Sequence, residues 1–354
     1  MAFKPATAGP SGSSAQIPPQ QAAIVAASDI GNEEDDDDDG DDVDSALGDD
    51  ASSIVHSITS SILNYRTIQG RTYHSEKHNN MYFIPNDEQQ LQSVDITHHY
   101  LTMLIGDKLF LAPIPDNVQR VLDIGTGTGI WSIVFAEAYP NAEVIGTDLS
   151  PTQPLWVPPN VKFELDDCTQ PWTWSECSFD FVHMRYLIGG IADWDELLRQ
   201  AHRVTRRGGW VQSCEPNVDI RCDDGTVAPD SAFVTFWNML YGRATEKLGA
   251  SFMPVEDDVQ RKAFEAAGFR NIEVRDYKFP IGGWPADKRL AEIGQYVQLT
   301  MLNDIEGYTL FLWNMIMGEK TPGYAEALAR MRKELRNKKI HGYMTCRYVY
   351  GQKL

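Results

Sequence analysis

One stretch limits the architectures open to this chain more than any other: Val121-Leu-Asp-Ile-Gly-Thr-Gly-Thr-Gly129, followed by a helical run and then by Val144-Ile-Gly-Thr-Asp148. An apolar strand ending in alternating glycines, a helix, and a second strand closed by an acid form the βαβ unit with which an open parallel sheet holds an adenosine-containing ligand. The glycines at 125, 127 and 129 read G-x-G-x-G, with Ile130 where a dinucleotide fingerprint needs its third glycine. No Lys or Arg lies between Val121 and Ala142 and no G-K-[ST] follows, so a phosphate-gripping loop of the Walker type is excluded.

The loop therefore suits an adenosine ligand without phosphates, and S-adenosylmethionine meets that description. Gly125, Thr126, Gly127 and Gly129 give close backbone approach, because glycine has no Cβ to obstruct it. Asp123 is predicted to face the ligand's amino group. Asp148, with Leu149 beside it, is placed to accept two hydrogen bonds from ribose hydroxyls. Asp166-Asp167-Cys168, after the next strand, offers Asp167 to the adenine amino group and the Cys168 amide to a ring nitrogen.

The formal charge of the 354 residues is -19, but residues 1–50 hold 13 Asp or Glu and one Lys, leaving only -7 for the rest. This segment, with its run Glu33-Glu-Asp-Asp-Asp-Asp-Asp-Gly-Asp-Asp42, is expected to be a disordered acidic tail. It is either a solubiliser or a dock for basic protein partners. No basic stretch followed by an apolar core marks a signal peptide, and no apolar run reaches 18 residues, so no membrane association is expected. Cys168, Cys177, Cys214, Cys222 and Cys346 show neither C-x-x-C nor metal-ligand spacing. A cytoplasmic or nuclear setting without a metal site follows as the expectation.

Periodicity predicts a helix over 52–65, a second over 91–111 containing His98 and His99, and a helical N-terminal cap over 51–118. Strand and helix then alternate: strands over 120–124, 143–147, 161–165, 179–182 and 210–214, with a helix over 128–139. Trp194, Leu197, Leu198, Ala201 and Val204 form a helical stripe after a cap at Asp193. Strands over 271–278 and 345–350 close the chain. The expected fold is α/β, Rossmann-like, with a seven-stranded mostly parallel sheet in a domain over 119–354. Helical insertions over 216–257 and 279–344 stand at the rim, where substrate specificity is usually carried.

Several segments together resemble the class I S-adenosylmethionine-dependent methyltransferases, and more narrowly the fungal LaeA-like group. They are Tyr65-Arg-Thr-Ile-Gln-Gly-Arg-Thr-Tyr-His74, Tyr82-Phe-Ile-Pro-Asn-Asp-Glu88, Leu122-Asp-Ile-Gly-Thr-Gly-Thr-Gly-Ile-Trp131 and Val144-Ile-Gly-Thr-Asp-Leu-Ser-Pro151. Gln153-Pro-Leu-Trp-Val-Pro-Pro-Asn160, Phe163-Glu-Leu-Asp-Asp-Cys168 and Gly189-Gly-Ile-Ala-Asp-Trp194 extend the likeness, which covers residues 60 to 215. The resemblance implies strand order 3-2-1-4-5-7-6, a role in secondary metabolism or its regulation, and Tyr73 folding over the cofactor as a lid.

Methyl transfer is an in-line displacement, so alignment of the acceptor carries most of the catalysis and a base is needed only where the acceptor loses a proton. His183, following the fourth strand, is the first candidate base, although a structural histidine bonded to backbone is an equal reading. Arg185 is placed to bind an acceptor carboxylate, and Glu215 is an alternative base. The acceptor is a small molecule or a peptide. The N-P-P-Y or D-P-P-Y tetrapeptide of enzymes that methylate nucleobase amines is missing. Basic residues gather at Arg330, Arg332, Lys333, Arg336, Lys338 and Lys339, read as a solvated helix face; no nucleic-acid partner is expected. Two other classes compete: a cofactor-binding scaffold acting through protein partners, and an NAD(P) oxidoreductase, for which no Tyr-x-x-x-Lys pair is found in the core.

Overall fold

The structure, a computed structural model, describes residues 65–75 and 82–354. The expected acidic tail and most of the helix expected over 52–65 lie outside the described residues. The described chain begins with a hairpin, β1 (Arg66–Ile68) and β2 (Arg71–Tyr73). Its turn residues Gln69 and Gly70 both have positive φ, +48° and +85°. This is the backbone of a tight hairpin turn, reached here with glutamine where asparagine is usual, so no turn signal marked it. Helix α1 (Glu88–Leu104) follows, capped by Asp87, whose carboxylate accepts from the Gln90 amide at 3.2 Å.

The main sheet then assembles in chain order. β3 (Arg120–Ile124), α2 (Ile130–Ala138), β4 (Glu143–Asp148), β5 (Val161–Leu165) and β6 (Phe179–Arg185) lead to helix α3 (Trp194–Val204) and β7 (Thr205–Arg221). A π-helical turn (Phe233–Asn238) runs into α4 (Met239–Leu248); α5 (Pro254–Asp257), α6 (Val259–Ala266) and β8 (Arg270–Pro280) come next. Helices α7 (Lys288–Asn303), α8 (Ile305–Met317) and α9 (Tyr324–Leu335) precede the closing β9 (Tyr343–Gln352). The spatial order is β5-β4-β3-β6-β7-β9-β8, which is 3-2-1-4-5-7-6 within this sheet. β3, β4, β5, β6 and β7 pair in parallel; β9 runs antiparallel to both β7 and β8.

The α3 stripe packs as its spacing requires, with Trp194, Leu197, Leu198, Ala201 and Val204 all buried and the Asp193 carboxylate capping the Glu196 amide at 2.9 Å. That layer covers one face of the sheet; Trp131 and Phe135 of α2 cover the other. A third apolar core lies between α1 and the insertion helices. β7 runs well beyond the expected 210–214; residues 209–218 are buried without a break and Ile220 is buried beyond them, as in a strand covered on both faces. Pro216 is tolerated there: β6 pairs with β7 no further than Arg185 opposite Cys214, so beyond that point one side of β7 needs no donor.

One ion pair ties the cap to the insertion. The Arg71 guanidinium donates to both oxygens of Asp87 (2.5 and 2.7 Å) and of Asp304 (2.6 and 2.7 Å). Asp87 caps α1 and Asp304 caps α8, so Arg71 joins two helix N-termini. Burial alone would raise the Asp87 carboxyl, yet the hydrogen bonds from Arg71 and the Gln90 amide hold it below its ordinary value. The expected solvated face of α9 is present: Leu328, Met331 and Leu335 point inward, while Arg332 pairs with Glu306 at 2.7 Å. Among the described residues no helix is long and apolar enough to cross a membrane, and no group of three or more His, Cys, Asp or Glu could hold a metal ion.

Candidate active site

A cavity of about 240 Å³ opens over the carboxyl ends of β3, β4, β5 and β6 and continues beneath α1 and the insertion helices. A single water needs about 10–15 Å³ on this scale, so the space is ligand-sized. Its two ends differ in chemistry. The glycine loop, Asp148, Leu149, Asp166, Asp167 and Cys168 line one end; Tyr82, Tyr100, Tyr186, Trp237, Tyr241 and Met301 line the other.

Gly125 and Gly127 border the first end with φ of +66° and +60°, the left-handed region that glycine enters at no steric cost. Gly129 does not line the cavity. It precedes α2 at φ +77°, and a Cβ there would lie 2.4 Å from Cζ of Phe163, so its place is to let α2 settle on β5. Asp148 Oδ2 accepts from the Gly127 amide at 2.8 Å and Oδ1 from the Ser150 amide at 3.2 Å. One lone-pair direction on each oxygen remains for a ligand hydroxyl. Burial pushes this carboxyl up to about 6, against the lowering effect of the backbone donors. Asp167 is held for the cavity by the Thr169 amide and hydroxyl, which donate to Oδ1 at 3.0 and 2.7 Å. The Cys168 carbonyl accepts from the Trp172 indole at 3.0 Å, and burial raises the thiol, so it is uncharged.

Asp123, expected to face a ligand amino group, lines the cavity, and both its carboxylate oxygens are also engaged within the protein. Its Oδ1 lies 2.7 Å from His183 Nδ1, and its Oδ2 accepts from the hydroxyls of Thr126 and Ser132 at 2.7 and 2.8 Å. Thr126 thus lines the cavity while its hydroxyl is spent inside the loop. β3 and β6 are parallel neighbours with Asp123 opposite His183, which brings the two side chains together. His183 is stacked flat on Trp131, centroids 3.8 Å apart and planes within 2°. Burial lowers its pKa, against the raising effect of Asp123, so the ring is neutral. A carboxylate only accepts, which puts the ring proton on Nδ1 and leaves the Nε2 lone pair.

Period two puts Arg185 on the same face of β6 as His183 and Met184 on the other. Arg185 lines the cavity and its Nη2 contacts His98 Nδ1 at 3.3 Å. A guanidinium has no acceptor, so His98 accepts; burial first, then Arg185, drives that imidazole down to about 3.

Two expected residues lie elsewhere. Glu215 is fully buried behind the wall, accepting from the Leu187 and Ile188 amides at 3.2 and 3.0 Å. It braces the loop after β6 instead of facing an acceptor; burial raises its pKa. Tyr73 is no lid over the cofactor: it is fully buried against Phe311 in the insertion core, with centroids 5.6 Å apart. Its neighbour His74 reaches the cavity, as do Tyr82 and Asn86 of the following segment. The aromatic end escaped sequence reading because its residues, from Tyr82 to Met344, are scattered over most of the chain.

The acid-rich end fits S-adenosylmethionine. Asp148, Asp166 and Asp167 can accept from ribose hydroxyls and the adenine amine, and among the described residues no Lys or Arg lines that end to meet a pyrophosphate. Comparison with known proteins agrees. A family model described as a methyltransferase domain matches residues 96–274. The chain is 36% identical over 307 residues to the methyltransferase pytC of Aspergillus terreus, covering 86% of this chain and 93% of that one. It is 33% identical to the secondary metabolism regulator LAE1 of Cochliobolus heterostrophus, over 77% of this chain and 90% of that protein. The protein-methionine methyltransferase laeA of Emericella nidulans is 31% identical, with 84% and 78% covered. Glycine loop, strand order, acid-lined crevice and these relatives converge: the chain belongs to the class I S-adenosylmethionine-dependent methyltransferases, in their LaeA-like group.

Proposed function

We propose that this chain transfers a methyl group to a small, largely apolar metabolite of secondary metabolism, held in the aromatic end of the cavity. The observation that carries the reading is the continuity of that cavity, from the carboxylates at the ends of β4 and β5 to a chamber walled by Tyr82, Trp237, Tyr241 and Met301. S-adenosylmethionine, when bound, supplies an electrophilic methyl group on a positively charged sulphur. Asp148 and Asp167 hold the adenosine part. The loop at 125–127 admits close approach by main chain, and the buried wall excludes water that would compete with the acceptor.

His183 is the base in this reading. Asp123 fixes its tautomer, Trp131 fixes its ring plane, and its neutral Nε2 can take a proton from an acceptor that loses one. Arg185 sets a positive charge at the same wall, which would stabilise the anion of an acceptor once its proton is lost. The name of pytC, a methyltransferase, supports methyl transfer, and that of LAE1, a secondary metabolism regulator, supports a place in secondary metabolism. Incubation with methyl-labelled cofactor and a fungal extract tests the reading. Label in small apolar molecules is the expected result; label confined to protein would overturn it in favour of a protein acceptor.

A further inference from the structure

We propose that Arg185 and His98 dock the acceptor by an oxygen anion, a carboxylate carried on a flat, apolar frame. This rests on the small-molecule reading above and names the class of acceptor within it.

Arg185 is the one Lys or Arg among the described residues that line the cavity. It is half-buried, and among the described residues no carboxylate forms an ion pair with it; its hydrogen bond is the 3.3 Å contact to His98 Nδ1. Asp123 and Glu215, which flank it on β3 and β7, are committed elsewhere, the first to His183, Thr126 and Ser132 and the second to the Leu187 and Ile188 amides. His98 takes one guanidinium N–H and, being neutral, fixes the group without answering its charge. A charge withdrawn from water is costly unless an opposite charge meets it, so the partner has to come with a ligand. The guanidinium fork matches a carboxylate, two N–H donors to two oxygens.

Helix α1 shows which part of the cavity Arg185 serves. A Cβ on Gly127 would meet Val94 Cγ1 at 3.5 Å, and Asp95 accepts from the Thr128 hydroxyl at 2.7 Å, so this turn of α1 lies on the glycine loop. His98 is four residues further on, about 6 Å along the helix axis. Tyr100, beyond it, stacks on Phe279 of β8 with centroids 5.8 Å apart. Arg185 therefore stands a turn past the cofactor loop, where the aromatic end begins. There the Trp237 indole donates to the Val218 carbonyl at 2.7 Å, and the Tyr241 hydroxyl to the Tyr308 carbonyl at 2.9 Å. Both residues line the cavity with their polar hydrogens spent and contribute aromatic carbon, which suits a flat conjugated ring.

The test uses the full chain saturated with S-adenosylhomocysteine and titrated calorimetrically with a naphthoate and with the matching naphthamide. The amide keeps the shape and lacks the charge, so the naphthoate should bind about tenfold or more tightly, the gain of a charged over a neutral hydrogen bond. Arg185→Gln should bring that ratio close to one while leaving S-adenosylhomocysteine affinity unchanged. His98→Leu should lower the ratio, and His98→Asn, whose carbonyl oxygen stands near the place of Nδ1, should restore it; a histidine that only packs would not separate these two variants. No preference for the naphthoate, binding of neither probe, or a ratio unchanged in Arg185→Gln or in His98→Leu would each overturn the proposal. So would an Arg185→Gln chain that loses S-adenosylhomocysteine affinity but keeps that for methylthioadenosine, because Arg185 would then hold the cofactor's own carboxylate. Should a His98 variant fail to fold, the wild-type ratio and Arg185→Gln still decide it. If S-adenosylhomocysteine itself does not bind, the methyltransferase reading fails first and takes the docking pair with it.

Discussion

Gly129→Ala should destabilise the chain far more than Gly127→Ala, although both glycines stand in one motif at similar φ. At +77° and +60° each alanine bears the left-handed cost of about 1–2 kcal/mol. The surroundings then separate them. A Cβ at position 127 meets only Val94 Cγ1, at an ordinary 3.5 Å, whereas at 129 it falls 2.4 Å from Cζ and 2.9 Å from Cε1 of Phe163. That ring is buried between α2 and β5, where overpacking costs about 1–3 kcal/mol more. The sum is about 1–2 kcal/mol for Gly127→Ala and about 2–5 kcal/mol for Gly129→Ala. Urea unfolding followed by tryptophan fluorescence measures both, and a double-mutant cycle with Phe163→Leu isolates the ring contribution. Equal losses at the two glycines, or strict additivity with Phe163→Leu, would refute the packing role assigned to Gly129.

Further outcomes follow from the site and from the ion pair that ties the cap to the insertion. Asp148 is raised to about 6, and only its ionised form accepts two ribose hydroxyls, so S-adenosylhomocysteine affinity should rise from pH 5 to pH 7 with a midpoint near 6. Asp148→Asn should bind weakly and without that dependence, as calorimetry at several pH values would show. For stability the same group has the opposite sign: its folded pKa exceeds the unfolded value, so its burial costs progressively more as pH rises from about 4 to 6. Arg71→Ala leaves Asp87 and the fully buried Asp304 facing each other unpaired. Breaking such a pair costs about 3–5 kcal/mol, discounted here to about 2–4 kcal/mol for partial exposure; Asp304→Asn should recover part in urea unfolding. His183→Gln should slow methyl transfer by about 10²- to 10⁴-fold with S-adenosylhomocysteine affinity intact, and full activity in that variant would make the histidine purely structural.

Local signals on the chain were enough for β3, α2, β4 and α3. An apolar run closing on glycines, and a stripe at i, i+3, i+4 behind an Asp cap, state both the element and the face it buries. Elements resting on less usual chemistry were harder to read. The hairpin at 66–73 puts Gln69 at positive φ, and β7 passes through Pro216, which is permitted only because β6 has already ended. Among the site residues, Asp148 and Asp167 are legible because each follows its own strand. The Asp123–His183 pair depends on which strands are neighbours, and it follows once β3 is set beside β6 in register. Glu215 was misread for the same reason in reverse: being at a strand's carboxyl end does not tell which wall a side chain faces. The acceptor chamber gathers Tyr82, Trp237, Tyr241 and Met301 by long-range packing, which leaves no periodic trace.

The account depends most on the claim that the acid-lined crevice at the ends of β4 and β5 holds an adenosine ligand without phosphates. Calorimetric titration of the full chain with S-adenosylhomocysteine and, separately, with NAD measures this directly. One saturable site for S-adenosylhomocysteine, abolished or strongly weakened by Asp148→Ala, with NAD far weaker, is the expected result. Tighter binding of NAD, or S-adenosylhomocysteine binding indifferent to Asp148→Ala, would contradict it.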